Sequence, residues 1–425
     1  MQIHYATISP RFVLIAILAC CGTGSVFAGD WPQILGPNRD GTAIGETVKA
    51  WPPQGPQLDW SYAIGQGFSG PAVVGDTVIV FHRVVASERV EIERVEALSA
   101  QTGKQLWKTD FDATYAGGIN PDTGPRCVPV VSGDAVILHG AAGDLHCVAL
   151  KDGAKRWSLD TWRDFNAPQG YFGAGTTPIV IGKNVIVNVG GKQGGVVAFN
   201  LADGKVVWSA VQDTASYSSP VLAKFRGKDY VVLVTRTKCS ALDPANGKAL
   251  FEFPFGQRGP TVNAATPLVF GNKFFLTASY GIGGKLFEVA KDKPATIWEN
   301  DSALSSQYNT PVHNGGFLYG SHGREDGGRT SLRCVDAANG EVNWSSDRSS
   351  VASVILAGQH LIVLTADGNL SLVKINPGAY SQLANYSVTT GVTRALPALS
   401  NGKLFIRING DGGKNELKCF NIGAK

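Results

Sequence analysis

A chain of 425 residues is long for one ordinary domain, but repeat architectures and large closed β structures reach that size as a single unit. With 52 glycines and 21 prolines breaking it every few residues, and no Ala, Leu, Glu or Lys accumulating at helical spacing, the composition excludes a helical fold and favours many short strands. The net charge of +4 is scattered, with no basic run or basic helix, which excludes an electrostatic footprint for nucleic acid.

The amino terminus comes first. Arg11 precedes an apolar run from Phe12 to Cys21, and Val26-Phe27-Ala28 offers what a signal peptidase reads, so residues 1–28 are expected to be a signal peptide cleaved after Ala28. The run is too short for a transmembrane span. A competing lipoprotein reading acylates Cys20 in ILAC, against which Leu18 is bulky for its position. Either route exports the protein, to the periplasm or beyond. Residues 29–57 are assigned to an amino-terminal extension, and 58–425 to one repeat domain.

The repeat has two markers. Pro71, Pro129, Pro178, Pro267 and Pro311 each precede a glycine by four residues (Gly75, Gly133, Gly182, Gly271, Gly315), followed by a β-rich run such as TVIVF, AVILH or NVIVN. Proline lacks an N–H and suits the first residue of a strand. Val354 keeps this spacing to Gly358 without the proline, and Pro220 and Pro397 open looser versions, giving eight strand openings. The second marker is a turn: Gly103, Gly153, Gly204, Gly247 and Gly340 stand four residues before Trp107, Trp157, Trp208, Phe251 and Trp344. Asp-Gly and Asn-Gly suit hairpins in which both central residues take φ > 0, so one hairpin with two left-handed residues is expected five times. Trp298 and Tyr386 end two further units, and Trp60 precedes the first opening.

Eight four-stranded antiparallel units of roughly 45 residues predict an all-β, eight-bladed propeller. The chain ends with three strands of its last unit made. The strand around Trp60 is therefore expected to complete the last blade and close the ring, removing the exposed edges. The tryptophans read as staples between adjacent blades. Among the cysteines after residue 28, Cys147 and Cys334 occupy a repeat position held elsewhere by Ala97, Ala198 and Ala241, so buried free thiols are expected rather than disulfides.

The alternating runs, the Asp/Asn-Gly turn and the Trp four residues on resemble the pyrroloquinoline-quinone (PQQ) repeat family. Its members are eight-bladed propellers that include quinone-dependent alcohol dehydrogenases and the outer-membrane assembly lipoprotein BamB. The resemblance covers residues 58–422, and the opening WPQILGPNRDG, Trp31 to Gly41, resembles exported PQQ-like propellers. The familiar dehydrogenases carry a vicinal disulfide, a Glu/Asn/Asp calcium set and an aspartate base. Here the adjacent pair Cys20-Cys21 falls in the signal peptide.

In a four-stranded blade the loops into the first strand share a face with the links between second and third strands. That face is predicted to gather Arg126, Tyr171, Tyr217, Ser218, Asn263, Tyr308, Asn309 and Arg394 from the first set, and Tyr280, His322 and Arg324 from the second, with Arg407 at a strand end. Such a mouth presents planar donors and aromatic faces to an anionic ligand, a glycan or a peptide. Satisfaction of inner backbone groups is the alternative role, above all for the asparagines and serines. Glu325 and Asp326 are adjacent and point apart, a weak basis for acid/base catalysis. No nucleophile elbow or metal-ligand spacing is present, so no catalytic or metal residues are assigned. The expectation is a non-catalytic, monomeric exported scaffold binding a peptide, glycan or envelope protein without a cofactor. The alternative is a quinone-type oxidoreductase using PQQ with calcium.

Overall fold

Seven of the eight inner strands begin on the residue after a strand-opening proline, at Ala72, Val130, Ile179, Val221, Leu268, Val312 and Ala398. The proline-free unit begins at Ala352. The protein is described by a computed structural model covering residues 29–424 apart from 89, 120–121 and 258–261. The expected signal peptide and the acylation site at Cys20 lie outside the described residues. Eight antiparallel four-stranded sheets follow in chain order as blades 1–8, opening at the residues just named, with strands numbered outward from the channel. Burial falls along the same direction. The second strand of blade 2, Ala135–His139, is buried throughout, whereas the outermost strand of blade 7, Gln382–Ser387, alternates between exposed and half-buried. Inner strands are flanked by neighbouring blades on both faces, and outer strands meet solvent at the rim.

Trp60 closes the ring as the repeat count requires. Its strand, Gln57–Ile64, pairs antiparallel with Asn415–Asn421 on the outer edge of the sheet whose inner strand is Ala398–Ser400, so the first and last segments share blade 8. The indole N–H of Trp60 donates to the Ala100 carbonyl of blade 1 at 3.0 Å. Trp107, Trp157, Trp208, Trp298 and Trp344 each donate in the same way to Leu150, Leu201, Pro244, Ala337 and Asn376 of the following blade, at 2.8–3.0 Å. Phe251 has no N–H, and its junction is filled instead by the packed rings of Phe225, Phe253, Phe274 and Phe287.

The recurrent turn differs from the expected hairpin in one respect. Only the glycine is left-handed, with φ of 69–79° at Gly103, Gly153, Gly204, Gly247 and Gly340; the preceding residue is not. The Asp or Asn acts through its side chain instead. Asp152, Asp203, Asn246 and Asn339 each accept from the backbone N–H two residues on, at 2.9–3.1 Å, the local bond that lets these residues nucleate turns. The glycine has a second reason to recur: a Cβ on Gly103 would lie 2.7 Å from the Trp60 ring, and one on Gly247 2.6 Å from that of Trp208.

A ladder of hydroxyls stitches the inner strands together. At four successive junctions the residue before an opening proline donates its N–H to the hydroxyl of the equivalent residue one blade on: Val128 to Thr177, Thr177 to Ser219, Ser219 to Thr266 and Thr266 to Thr310, at 2.9–3.4 Å.

Residues 30–47 run into this ring. Trp31 exchanges both backbone hydrogen bonds with Val73 of blade 1, and Pro32 accepts from Val131 of blade 2. Thr42–Ala43 adds a short parallel strand to Ala352–Ala357 of blade 7, and Glu46 accepts from the Asn401 and Gly402 N–H groups of blade 8. Between these anchors Arg39, 2% exposed, reaches the carbonyls of Pro220 (2.8 Å), Thr177 and Pro178 in blades 3 and 4, and donates to Gln33 Oε1 at 2.7 Å. The segment approaches from the face of the Gly75 turn, where Asp30 accepts from the Gly75 N–H, and fills the bore. The opposite mouth is therefore a blind depression.

Candidate functional site: the mouth of the ring

The loops before the opening prolines, with the second-to-third links, build the blind mouth. Its centrepiece is Arg394, in the loop between blades 7 and 8. The guanidinium holds the Glu325 carboxylate of blade 6 through Nε at 2.9 Å and Nη2 at 2.7 Å. Tyr308 donates its hydroxyl to the same carboxylate at 3.1 Å. Burial, first, and the Glu325 charge, second, push the Tyr308 phenol well above its ordinary value, so it remains a donor. Phe68, between blades 8 and 1, lies 5.8 Å from the guanidinium carbons of both Arg394 and Arg126. Tyr280 carries Arg324 over its ring at 4.3 Å, and Arg324 is fixed to Asp326 by two bonds of 2.9 and 2.6 Å. Gln307 joins the two groups, donating to the Tyr280 hydroxyl and accepting from the Glu325 N–H. Arginine, aromatic and carboxylate thus interlock from blade 5 round to blade 1.

The other expected site residues have different fates. Arg126 turns back on its own loop, donating to the Gly124 and Asp122 carbonyls at 2.7 and 2.8 Å. Arg407 is 1% exposed and donates to the carbonyls of Gly65, Ser69 and Phe81; burial pushes its guanidinium down to about 10. Asn263 donates to Thr235 and Arg236 carbonyls and accepts from the Tyr217 and Ser218 N–H groups, locking a link of blade 4. Ser218, Asn263 and Asn309 are all buried and none faces solvent: the Asn263 amide bonds backbone carbonyls, whereas Ser218 Oγ and Asn309 Oδ1 have no partner among the described residues. His322 accepts from the Ser305 N–H, with burial pushing its imidazole down to about 4.

Tyr171 and Tyr217 belong to a second feature that spacing alone did not reveal. Between blades 2, 3 and 4 on the same face lies a cavity of ≈ 300 Å³, walled by both tyrosines, His139, Asn188, Trp162 and Arg236. Tyr217 accepts from the Phe172 N–H at 2.8 Å, and Arg236 stands over the Tyr171 ring at 5.9 Å. His139 and Asn188 were legible in one respect: each is a polar residue that directly follows an apolar stretch, AVIL and VIV.

Glu325 and Asp326 are each held in paired bonds by an arginine, and no cluster of three His, Cys, Asp or Glu side chains able to hold a metal occurs among the described residues. No described helix is long and apolar enough to cross a membrane. All five cysteines in the described residues are buried and unbridged.

Comparison with known proteins agrees with this architecture. A protein of Burkholderia pseudomallei (strain K96243) described as outer membrane protein assembly factor BamB is 25% identical over 361 residues, spanning 74% of this chain and 87% of that protein. The crystal structure of BamB from Moraxella catarrhalis superposes with a TM-score of 0.61 at 17% identity, over 86% of this chain and all of that one. The quinohemoprotein alcohol dehydrogenase ADHIIG from Pseudomonas putida HK5 gives 0.69 at 12% identity, over 94% of this chain and 81% of that one. At these identities the solved structures establish the fold alone. The family model for outer membrane protein assembly factor BamB matches residues 91–346 and 259–413, most of the ring. The chain belongs to that family of PQQ-like β-propellers.

Proposed function

We propose that this protein is a non-catalytic, exported scaffold that docks a protein of the outer-membrane assembly kind on the face carrying Arg394, Arg324 and Tyr280. One observation carries the reading: the arginines of this face are already fixed by Glu325, Asp326 and aromatic rings before any partner arrives. A surface whose long side chains are preset loses less conformational entropy on association, and Arg and Tyr are the residues that anchor protein interfaces. The relatives described as assembly factors point to the same class of partner. The scaffold acts as a monomer in the periplasm and uses no cofactor.

The test is site-specific photo-crosslinking in cells, with the photoreactive residue at position 324 on the mouth or at position 151 on an opposite-face turn. Adducts from 324 that mass spectrometry identifies as an outer-membrane assembly protein, with none from 151, support the reading. Equal labelling from both positions, or adducts lacking any such protein, overturns it.

A further inference from the structure

Two residues that line the cavity between blades 2, 3 and 4 each keep a buried polar atom with no partner among the described residues. His139 Nδ1 lies 3.0 Å from the Thr176 carbonyl, so the ring proton sits there and Nε2 is left as a bare acceptor. Burial holds this imidazole below its usual range and keeps it neutral. Asn188 spends its Nδ2 on the Val234 carbonyl at 3.3 Å, leaving Oδ1 unpaired. Both residues are 2% exposed and both line the cavity. Buried acceptors left empty are costly, and two in one cavity wall specify a ligand that donates.

That requirement is selective. A carboxylate or phosphate offers only acceptors to His139 and Asn188, and an ammonium group would meet the guanidinium of Arg236 with no carboxylate in the wall. A neutral hydroxyl group donates to these acceptors, and it can also accept from the Tyr217 hydroxyl. Tyr171, 45% exposed at the opening, and Trp162 in the short helix Thr161–Phe165 offer ring faces suited to the C–H face of a sugar. A volume of ≈ 300 Å³ is at the small end for ligand sites and suits a single ring. Trp162 and Gln169 also line an adjoining hollow of ≈ 260 Å³ that contains Asp144 and Asp160, giving a linked second residue a place beyond the tryptophan.

We infer that this cavity is a saccharide-binding site, taking one neutral pyranose against His139 and Asn188 while the adjoining unit of the chain crosses Trp162. The site lies on the same face as the proposed docking surface but on other blades.

Isothermal titration calorimetry and saturation-transfer NMR on the full protein test it. The probes are the methyl glycosides of glucose, galactose, mannose and N-acetylglucosamine with their β-1,4 disaccharides, and glucuronate, glucosamine and acetamide serve as chemical controls. At least one neutral sugar is expected to bind saturably, with its charged counterpart about tenfold weaker or worse. Asn188→Leu should abolish binding and Tyr171→Ala weaken it about tenfold, while Arg394→Ala leaves it unchanged. Tyr171 is exposed, so its variant carries the result should Asn188→Leu fail to fold. Failure of every sugar to bind, equal binding of charged sugars, preference for acetamide, or indifference to both cavity variants overturns the inference. Crosslinking from position 324 is scored separately, so either reading can fail alone.

Discussion

Arg394 and Glu325 stand 69 residues apart in the chain, in loops of blades 7–8 and 6, and meet in a two-point ion pair at 2.9 and 2.7 Å. Their side chains are 37% and 29% exposed. An exposed pair of this kind contributes at most about 1 kcal/mol to folding. Its larger effect is to hold the guanidinium in one place. Glu325→Gln is therefore expected to leave thermal stability nearly unchanged while releasing Arg394 and Tyr308, and to reduce crosslinking from position 324 several-fold. Melting curves and adduct yields separate the two effects, and a large loss of stability would reassign the pair to folding.

Trp60 supplies both packing and a hydrogen bond at the junction of blades 8 and 1. Trp60→Phe should lose about 1 kcal/mol with the N–H, and Trp60→Ala about 3–5 kcal/mol with the buried ring. Gly103→Ala should also destabilise, by roughly 2 kcal/mol, because it places a Cβ at φ 69° and against that indole. Urea unfolding with all probes coincident is the measurement.

Arg39 is the tip of the segment in the bore. Burial pushes its guanidinium down to about 9, which leaves it charged at neutral pH and dependent on the Pro220, Thr177 and Pro178 carbonyls. Arg39→Ala should cost about 3 kcal/mol or more, since bonds to a charged donor are the strong ones. Limited proteolysis should then cut within residues 30–50 in the variant before it cuts the blades.

Glu93 of blade 1 is 2% exposed, accepting from the Ala141 N–H through one oxygen and leaving the other without a partner among the described residues. Burial, opposed by that bond and by Arg83 and Arg126, pushes its carboxyl from 4.5 up to about 7. The folded state thus keeps a proton that the unfolded chain releases between those values. The stability this proton confers is complete below 4.5 and is lost as pH climbs through about 7, by roughly 3 kcal/mol in all. Glu93→Gln should match the parent near pH 4 and exceed it at pH 8 in melting temperature. Parallel curves across that range would refute the assignment.

Cys127 and Cys239 are fully enclosed, and burial pushes both thiols far up; Cys147 and Cys334 rise to about 11. A thiol reagent at pH 8 should react with none of the five in the native protein and with all of them in denaturant.

Much of the ring was legible because a repeat is written locally. Proline, glycine and tryptophan each recur at fixed spacing, since the same turn must be made and the same indole seated in every blade. The turn departs from the expected hairpin because Asp and Asn have two routes to tight turns, left-handed backbone or a side-chain bond, and residue spacing is the same for both. Among the site residues, Arg394, Arg324 and Tyr308 do face the mouth, whereas Asn263 and Arg407 are spent on backbone carbonyls and Ser218 is buried. Residue type could not separate these groups, because an arginine suits a ligand carboxylate and an orphaned carbonyl equally.

By itself the sequence determined the number of blades, the strand order and the closure of the last blade by the first strand, all of which follow from spacing along one chain. Tertiary structure decided the rest: that Arg39 blocks the bore from one side, that Glu325 meets Arg394, and that His139 and Asn188 share a cavity. These depend on which loops curve toward one another across different blades. No periodicity encodes such meetings, because the loops diverge from the repeat while the strands conform to it.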